Sequence, residues 1–208
     1  EEAVDLLKRN PQIAVGVHLV LNSEWSGYRW GPVLGRVAVP SLTDSAGYFL
    51  PSTQAFLAHN YDLGEVEREL GAQMDRATAS GLKISYVDYH MGTAVATPQL
   101  RAVVERVAKK YGVGISRYYG EAYNTLFDTP AEAKKPDFLA RIARADSTRT
   151  NLFVVHVAER TPEMSALFDR NNAAQNSAAG VPLVANHRQA ELDVMLSPEL
   201  AALVSSGR

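Results

Sequence analysis

Short apolar runs that alternate with stretches of helical spacing constrain this chain more than any other feature. The runs are Ile13–Leu19 (Ile-Ala-Val-Gly-Val-His-Leu), Lys83–Asp88 and Asn151–Val157 (Asn-Leu-Phe-Val-Val-His-Val), and each reads as a buried strand. A helix is predicted from Asp62 or Gly64 to Ser80, with Val66, Leu70, Met74 and Ala77 on one face and Gly81 as its stop. Thr97-Pro98 opens a second helix that runs to Tyr111, with Gly112 at its end. Val113–Ser116 reads as a short strand. Further helices are predicted over Ala131–Ala145, where Lys134-Lys135-Pro136 interrupts the pattern, and over Glu163–Gln175, Ala185–Leu196 and Glu199–Val204. Strands and helices in this order predict an α/β fold, built as a parallel sheet or barrel.

The chain has 208 residues, which fits one large domain before two small ones and is long enough for a sizeable core. A net charge of -2 gives no reason to expect a nucleic acid, and no apolar run approaches the ~18 residues that would predict a membrane span. With no cysteine, thiolate metal sites, thiol nucleophiles and disulfides are excluded. Residues 22–61 are rich in Gly, Pro, Ser, Asn and aromatics without a sustained period, and long loops of this kind are usually functional or disordered. The chain opens with Glu1–Arg9 in the pattern of the last turns of an amphipathic helix, stopped by Asn10-Pro11. Residues upstream of Glu1 are therefore expected, together with any leader they carry, so the compartment (cytoplasmic or exported) stays open.

Ser85-Tyr86-Val87-Asp88-Tyr89-His90-Met91-Gly92 places a carboxylate and an imidazole two residues apart at the end of a strand, so both are predicted to face one way. His18 and His156 stand in the same context, each ending or nearly ending an apolar run. If the strands are parallel, three imidazoles gather on one rim, where neutral imidazole is a good ligand for divalent ions. The bland alternative is a set of satisfied strand-end histidines. Asp88 is open to three roles, as a ligand, as a base or as the partner that orients His90, and it equally suits a loop cap. His59 reads as solvated, and His187 as a structural or capping residue. No GxGxxG, P-loop or GxSxG is present.

Gly16–Glu24 (Gly-Val-His-Leu-Val-Leu-Asn-Ser-Glu) and Tyr86–Thr93 (Tyr-Val-Asp-Tyr-His-Met-Gly-Thr) resemble two signature segments of the YdjC-like carbohydrate deacetylases, a family that includes chitooligosaccharide deacetylases and is similar to the polysaccharide deacetylases. Glu65–Met74, Phe153–His156 and Arg188–Leu192 followed by Leu196-Ser197-Pro198 resemble further family segments in the same order, although Val157-Ala158 stands where the family has Pro-Gly.

The resemblance implies a distorted, TIM-like (β/α) barrel spanning residues 1–208 as one domain, with its N-terminal strand missing. It implies one divalent ion, Zn²⁺ or Mg²⁺, held by His18 and His90. It also implies an aspartate ligand and a base in an Asp-Asp strand that has no counterpart here, without which the chain would be inactive. The implied reaction is hydrolysis of an N-acetyl group on an amino-sugar oligosaccharide by ion-bound water. His156 would protonate the leaving amine, and Asp88 would orient His90 or sit beside the reaction. Trp25, Tyr28, Arg29, Trp30 and Arg188 are the expected sugar contacts, although Arg188 and Glu191 also fit a helix-surface ion pair. The expected partners are a small carbohydrate and, at most, a second copy in a homodimer, with neither nucleic acid nor membrane. The alternatives are a metal hydrolase of a non-sugar amide or phosphate and a non-catalytic carbohydrate-binding relative.

Overall fold

The computed structural model describes residues 2–169, 171 and 183–206. In chain order its elements are α1 (Glu2–Arg9), β1 (Val15–Leu19), β2 (Trp25–Ser26), α2 (Thr53–Ala58), α3 (Leu63–Thr78), β3 (Ile84–Tyr89), α4 (Pro98–Tyr111), β4 (Gly114–Ile115), β5 (Ala122–Thr125), α5 (Lys134–Ala143), β6 (Asn151–Val154), α6 (Pro162–Ser165), β7 (Phe168–Asp169), α7 (Val184–Met195) and α8 (Pro198–Ser205). They group into two compact units, one of residues 1–24 and 29–118, the other of residues 25–28 and 119–208.

The first unit holds a parallel sheet in the order β1-β3-β4. Parallel neighbours need a crossover, and α3 and α4 supply the two. Asp62 caps α3 by accepting the Glu65 N–H, and the helix buries Val66, Leu70 and Met74, the spacing of one helical face. Thr97 caps α4, Pro98 occupies its first turn, and Gly112 ends it at φ 66, a left-handed conformation that costs glycine little. These helices pack with Leu19, Leu21, Phe49, Phe56 and Val87 into one core.

The long segment between β1 and α3 is pinned by side chains of α3. Glu69, fully buried, accepts the N–H groups of Val33 and Leu34 at 2.9 and 3.1 Å. Gln73 pairs with both the N–H and the carbonyl of Val20, in the manner of a neighbouring strand. Glu65 accepts the N–H and hydroxyl of Ser41. A stretch without periodicity is thus ordered by acceptors that sit elsewhere in the chain.

In the second unit β5 and β6 pair in parallel, and β2 and β7 pair antiparallel. Its core is Leu126, Phe138, Val194 and Leu200, with Phe153 and Val155 against it. Three expectations are corrected here. The helix expected over Glu163–Gln175 is only α6, because Phe168–Asp169 leaves it to pair with Trp25–Ser26; residues 172–175 lie outside the described residues. The helix expected over Ala131–Ala145 divides at Lys134, with a 3₁₀ turn at Ala131–Ala133 before α5, and Pro136 lies in the first turn of α5, where the missing N–H would have had no helical partner. The third strand ends at Val154, so His156 stands in the loop that follows. The α/β class holds, with parallel pairing, but no sheet closes into a barrel among the described residues.

Candidate functional site

His18 and Asp88 are register partners on β1 and β3, so their side chains stand side by side on one face of the sheet. His18 Nδ1 lies 2.6 Å from Asp88 Oδ1. A carboxylate only accepts, so Nδ1 donates, and in a neutral ring Nε2 is then the nitrogen with the lone pair. His90 follows β3 directly and opens a 3₁₀ segment, His90–Val95, in which Met91 and Gly92 take positive φ. Its Nε2 lies 2.8 Å from Oε2 of Glu24, whose side chain is 5% exposed, so Nε2 donates, and in a neutral ring Nδ1 is the nitrogen with the lone pair. The other two ring nitrogens, His18 Nε2 and His90 Nδ1, lie 3.3 Å apart.

The turn that carries His90 is fixed by buried polar contacts. Thr93 donates to Asn22 at 2.7 Å and shares a 2.6 Å hydroxyl contact with Thr53, while Asn22 Nδ2 reaches the Met91 sulfur. Trp30 sets its ring edge-on to His90 at 6.0 Å.

The donor set can be tested against a divalent ion. Two imidazoles on one tetrahedral ion with bonds of 2.0–2.1 Å have nitrogens about 3.3–3.4 Å apart. The observed separation matches, and each imidazole has a carboxylate behind it, the usual support for a metal-binding histidine. The pair would supply two ligands. Among the described residues no group of three His, Cys, Asp or Glu side chains is placed to hold an ion.

Asp88 therefore contacts His18, where orienting His90 was one of the roles expected of it; His90 takes Glu24 instead. Glu24 was not among the expected site residues. Its only signal was its place at the end of the Gly16–Glu24 segment. Arg29 is engaged within the long loop, 2.5 Å from Asp44, over the Tyr48 ring and donating to the Phe49 carbonyl. Burial pushes the Asp44 carboxyl up, but Arg29 and the N–H groups of Tyr48 and Ala46 outweigh it and hold it below the usual range.

The remaining predicted residues belong to the second unit. Trp25 lies 6.4 Å from the exposed Tyr28 ring and beneath the Arg188 guanidinium at 5.4 Å. The backbone N–H of His156 donates to Glu191, and its ring lies 5.6 Å from Phe127. Glu191 is not in a surface ion pair: it is buried, 2.8 Å from the equally buried Lys134. Lys134 was missed because its partner lies 57 residues away and no local pattern links them. His187 is buried in α7. Burial and the nearby Lys134 push its imidazole below the ordinary value, partly offset by Glu191 and Glu132.

The family model described as "YdjC-like protein" matches residues 1–206. Carbohydrate deacetylase 1 of Listeria innocua is 36% identical over 118 residues, which are 56% of this chain and 44% of that protein. The carbohydrate deacetylase of Brevibacillus brevis is 36% identical over 115 residues, covering 55% and 42%. That of Thermus thermophilus is 38% identical over 128 residues, covering 56% and 46%. The match thus spans less than half the length of these curated relatives. A crystal structure from Enterococcus faecalis, named for a proposed role in cellobiose-phosphate cleavage, is similar in fold with a TM-score of 0.70 at 22% identity, over 99% of this chain and 78% of that one.

Proposed function

This chain belongs to the YdjC-like family, and on that premise we propose that it serves a divalent-ion-dependent deacetylase that removes N-acetyl groups from amino-sugar oligosaccharides. The relatives named carbohydrate deacetylase support the reaction class. The observation that carries the reading is the pair His18 Nε2 and His90 Nδ1, whose 3.3 Å separation is a ligand-to-ligand distance. These two nitrogens would hold the ion, which when bound supplies a Lewis acid for the acetyl carbonyl and a more acidic water. Asp88 holds the His18 ring and Glu24 the His90 ring, so neither imidazole has to reorient. His156 is the proposed proton donor to the leaving amine. Trp25, Tyr28 and Arg188 are proposed sugar contacts, because aromatic faces and a guanidinium suit stacking and hydroxyl recognition. Arg29 and Trp30 contribute by shaping the loop that carries them. A (β/α) barrel belongs to the same proposal, supported by the parallel β1-β3-β4 order with its helical crossovers.

The test is acetate release by the intact protein from N-acetylated chito-oligosaccharides, with simple amides and phosphomonoesters as controls. Acetate is expected from the sugars alone. His18→Ala and His90→Ala are each expected to abolish both the activity and the binding of Zn²⁺ or Mg²⁺. Full activity in either variant would sink the reading, and sugar binding without ion binding or acetate release would favour a non-catalytic role.

A further inference from the structure

Lys134 and Glu191 are a charged pair with 0% and 2% side-chain exposure, inside the second unit. Lys134 Nζ lies 2.8 Å from Glu191 Oε1 and also donates to the Leu126 carbonyl at 2.5 Å. The second carboxylate oxygen, Oε2, accepts the backbone N–H of His156 and lies 3.8 Å from that residue's ring Nδ1. Leu126 follows directly on β5, and His156 comes two residues after β6; these strands pair in parallel, and their last register pair is Thr125 with Val154. The ion pair therefore ties the exits of two neighbouring strands to each other. A well-packed apolar pair of similar volume stabilises a core as well as a buried ion pair does, so stability alone does not account for these charges. What they do that an apolar pair cannot is accept a specific N–H, that of the residue whose ring follows.

We propose that Lys134 and Glu191 are positioning residues for His156: the pair fixes the backbone at residue 156 and sets the ring with Nδ1 toward the Glu191 carboxylate and Nε2 turned away as the working nitrogen. This rests on the reading of His156 as the proton donor. Lys134 acts one step back, holding the carboxylate whose other oxygen holds His156. Nothing in this arrangement requires Glu191 or Lys134 to touch substrate.

The experiment compares His156→Ala, Glu191→Gln and the double variant Lys134→Met/Glu191→Met in the intact, ion-loaded protein. It measures kcat and KM for acetate release from chito-oligosaccharides, the thermal midpoint, and the hydrogen-exchange protection of the His156 amide by NMR. Glu191→Gln leaves Lys134 buried without its counter-charge and is expected to fold less well. The double variant leaves no charge unpaired and is expected to keep the wild-type midpoint. In the double variant the His156 amide is expected to lose its protection, and kcat to fall about 100-fold, the scale of a 1 Å misplacement, with KM unchanged. A merely structural pair would change neither the amide nor kcat once the midpoint is kept. If His156→Ala is inactive while the double variant keeps wild-type kcat and a protected amide, the positioning role is overturned and the deacetylase reading stands. If His156→Ala turns over at the wild-type rate, the proton-donor reading falls and the positioning role with it.

Discussion

Gly16 lacks a side chain where Tyr86 needs the space: a Cβ there would lie 2.3 Å from the tyrosine ring. The two are register partners, and two residues further along the same strands His18 meets Asp88. One pairing thus seats the aromatic and brings the imidazole to its carboxylate. At this scale the consequence lies in which nitrogen is free. Replacing Asp88 by Asn, or Glu24 by Gln, keeps the shape but removes the negative charge that keeps the proton on the rear nitrogen of its histidine. Each substitution is expected to weaken Zn²⁺ or Mg²⁺ binding by about 10- to 100-fold, measured calorimetrically, the usual effect of losing such a partner. Unchanged affinity in both variants would show that the carboxylates do not orient the imidazoles toward an ion.

Among the elements, α7 carries most that concerns the second unit. It presents Glu191 to Lys134 and buries His187, whose imidazole is pushed below the ordinary value chiefly by burial and by Lys134. A histidine held neutral in the folded state binds fewer protons than in the unfolded chain, so its contribution to stability is complete above the unfolded value near 6.5 and is lost as pH falls through the folded value. Chemical unfolding across pH 8 to 5 is expected to show stability declining on acidification, and His187→Phe is expected to flatten that slope. An identical slope in the variant would rule out His187 as its source. Helix ends were legible in the sequence where they depend on contiguous residues: Thr97-Pro98 and Gly112 bound α4 as read, because a cap is made within a few positions. The end of α6 was not legible. The competing interaction is a strand pairing between Phe168–Asp169 and Trp25–Ser26, more than 140 positions upstream, and local propensity carries no record of it.

For the whole molecule, the proposed ion binding would be linked to folding. The nitrogens of His18, on β1, and His90, after β3, meet only when those strands pair, so the unfolded chain presents no such site. A divalent ion at ~100 times its Kd is expected to add about 2.7 kcal/mol to the unfolding free energy, reversed by a chelator, and thermal or chemical unfolding with and without the ion measures this. Unfolding that ignores the ion, in a protein that hydrolyses the sugar, would separate the activity from the two histidines.

The histidines, Asp88 and the α/β class could be named from the chain alone, since strand alternation, helix caps and a motif of eight contiguous residues are all local. His18 and Asp88, 70 positions apart, became a hydrogen-bonded pair only through the register of two parallel strands. Glu24 behind His90, and Lys134 behind Glu191, likewise depend on which segments pack together. Tertiary structure decided these partnerships because a carboxylate chooses its donor by proximity in the fold, and neither periodicity nor spacing encodes that proximity.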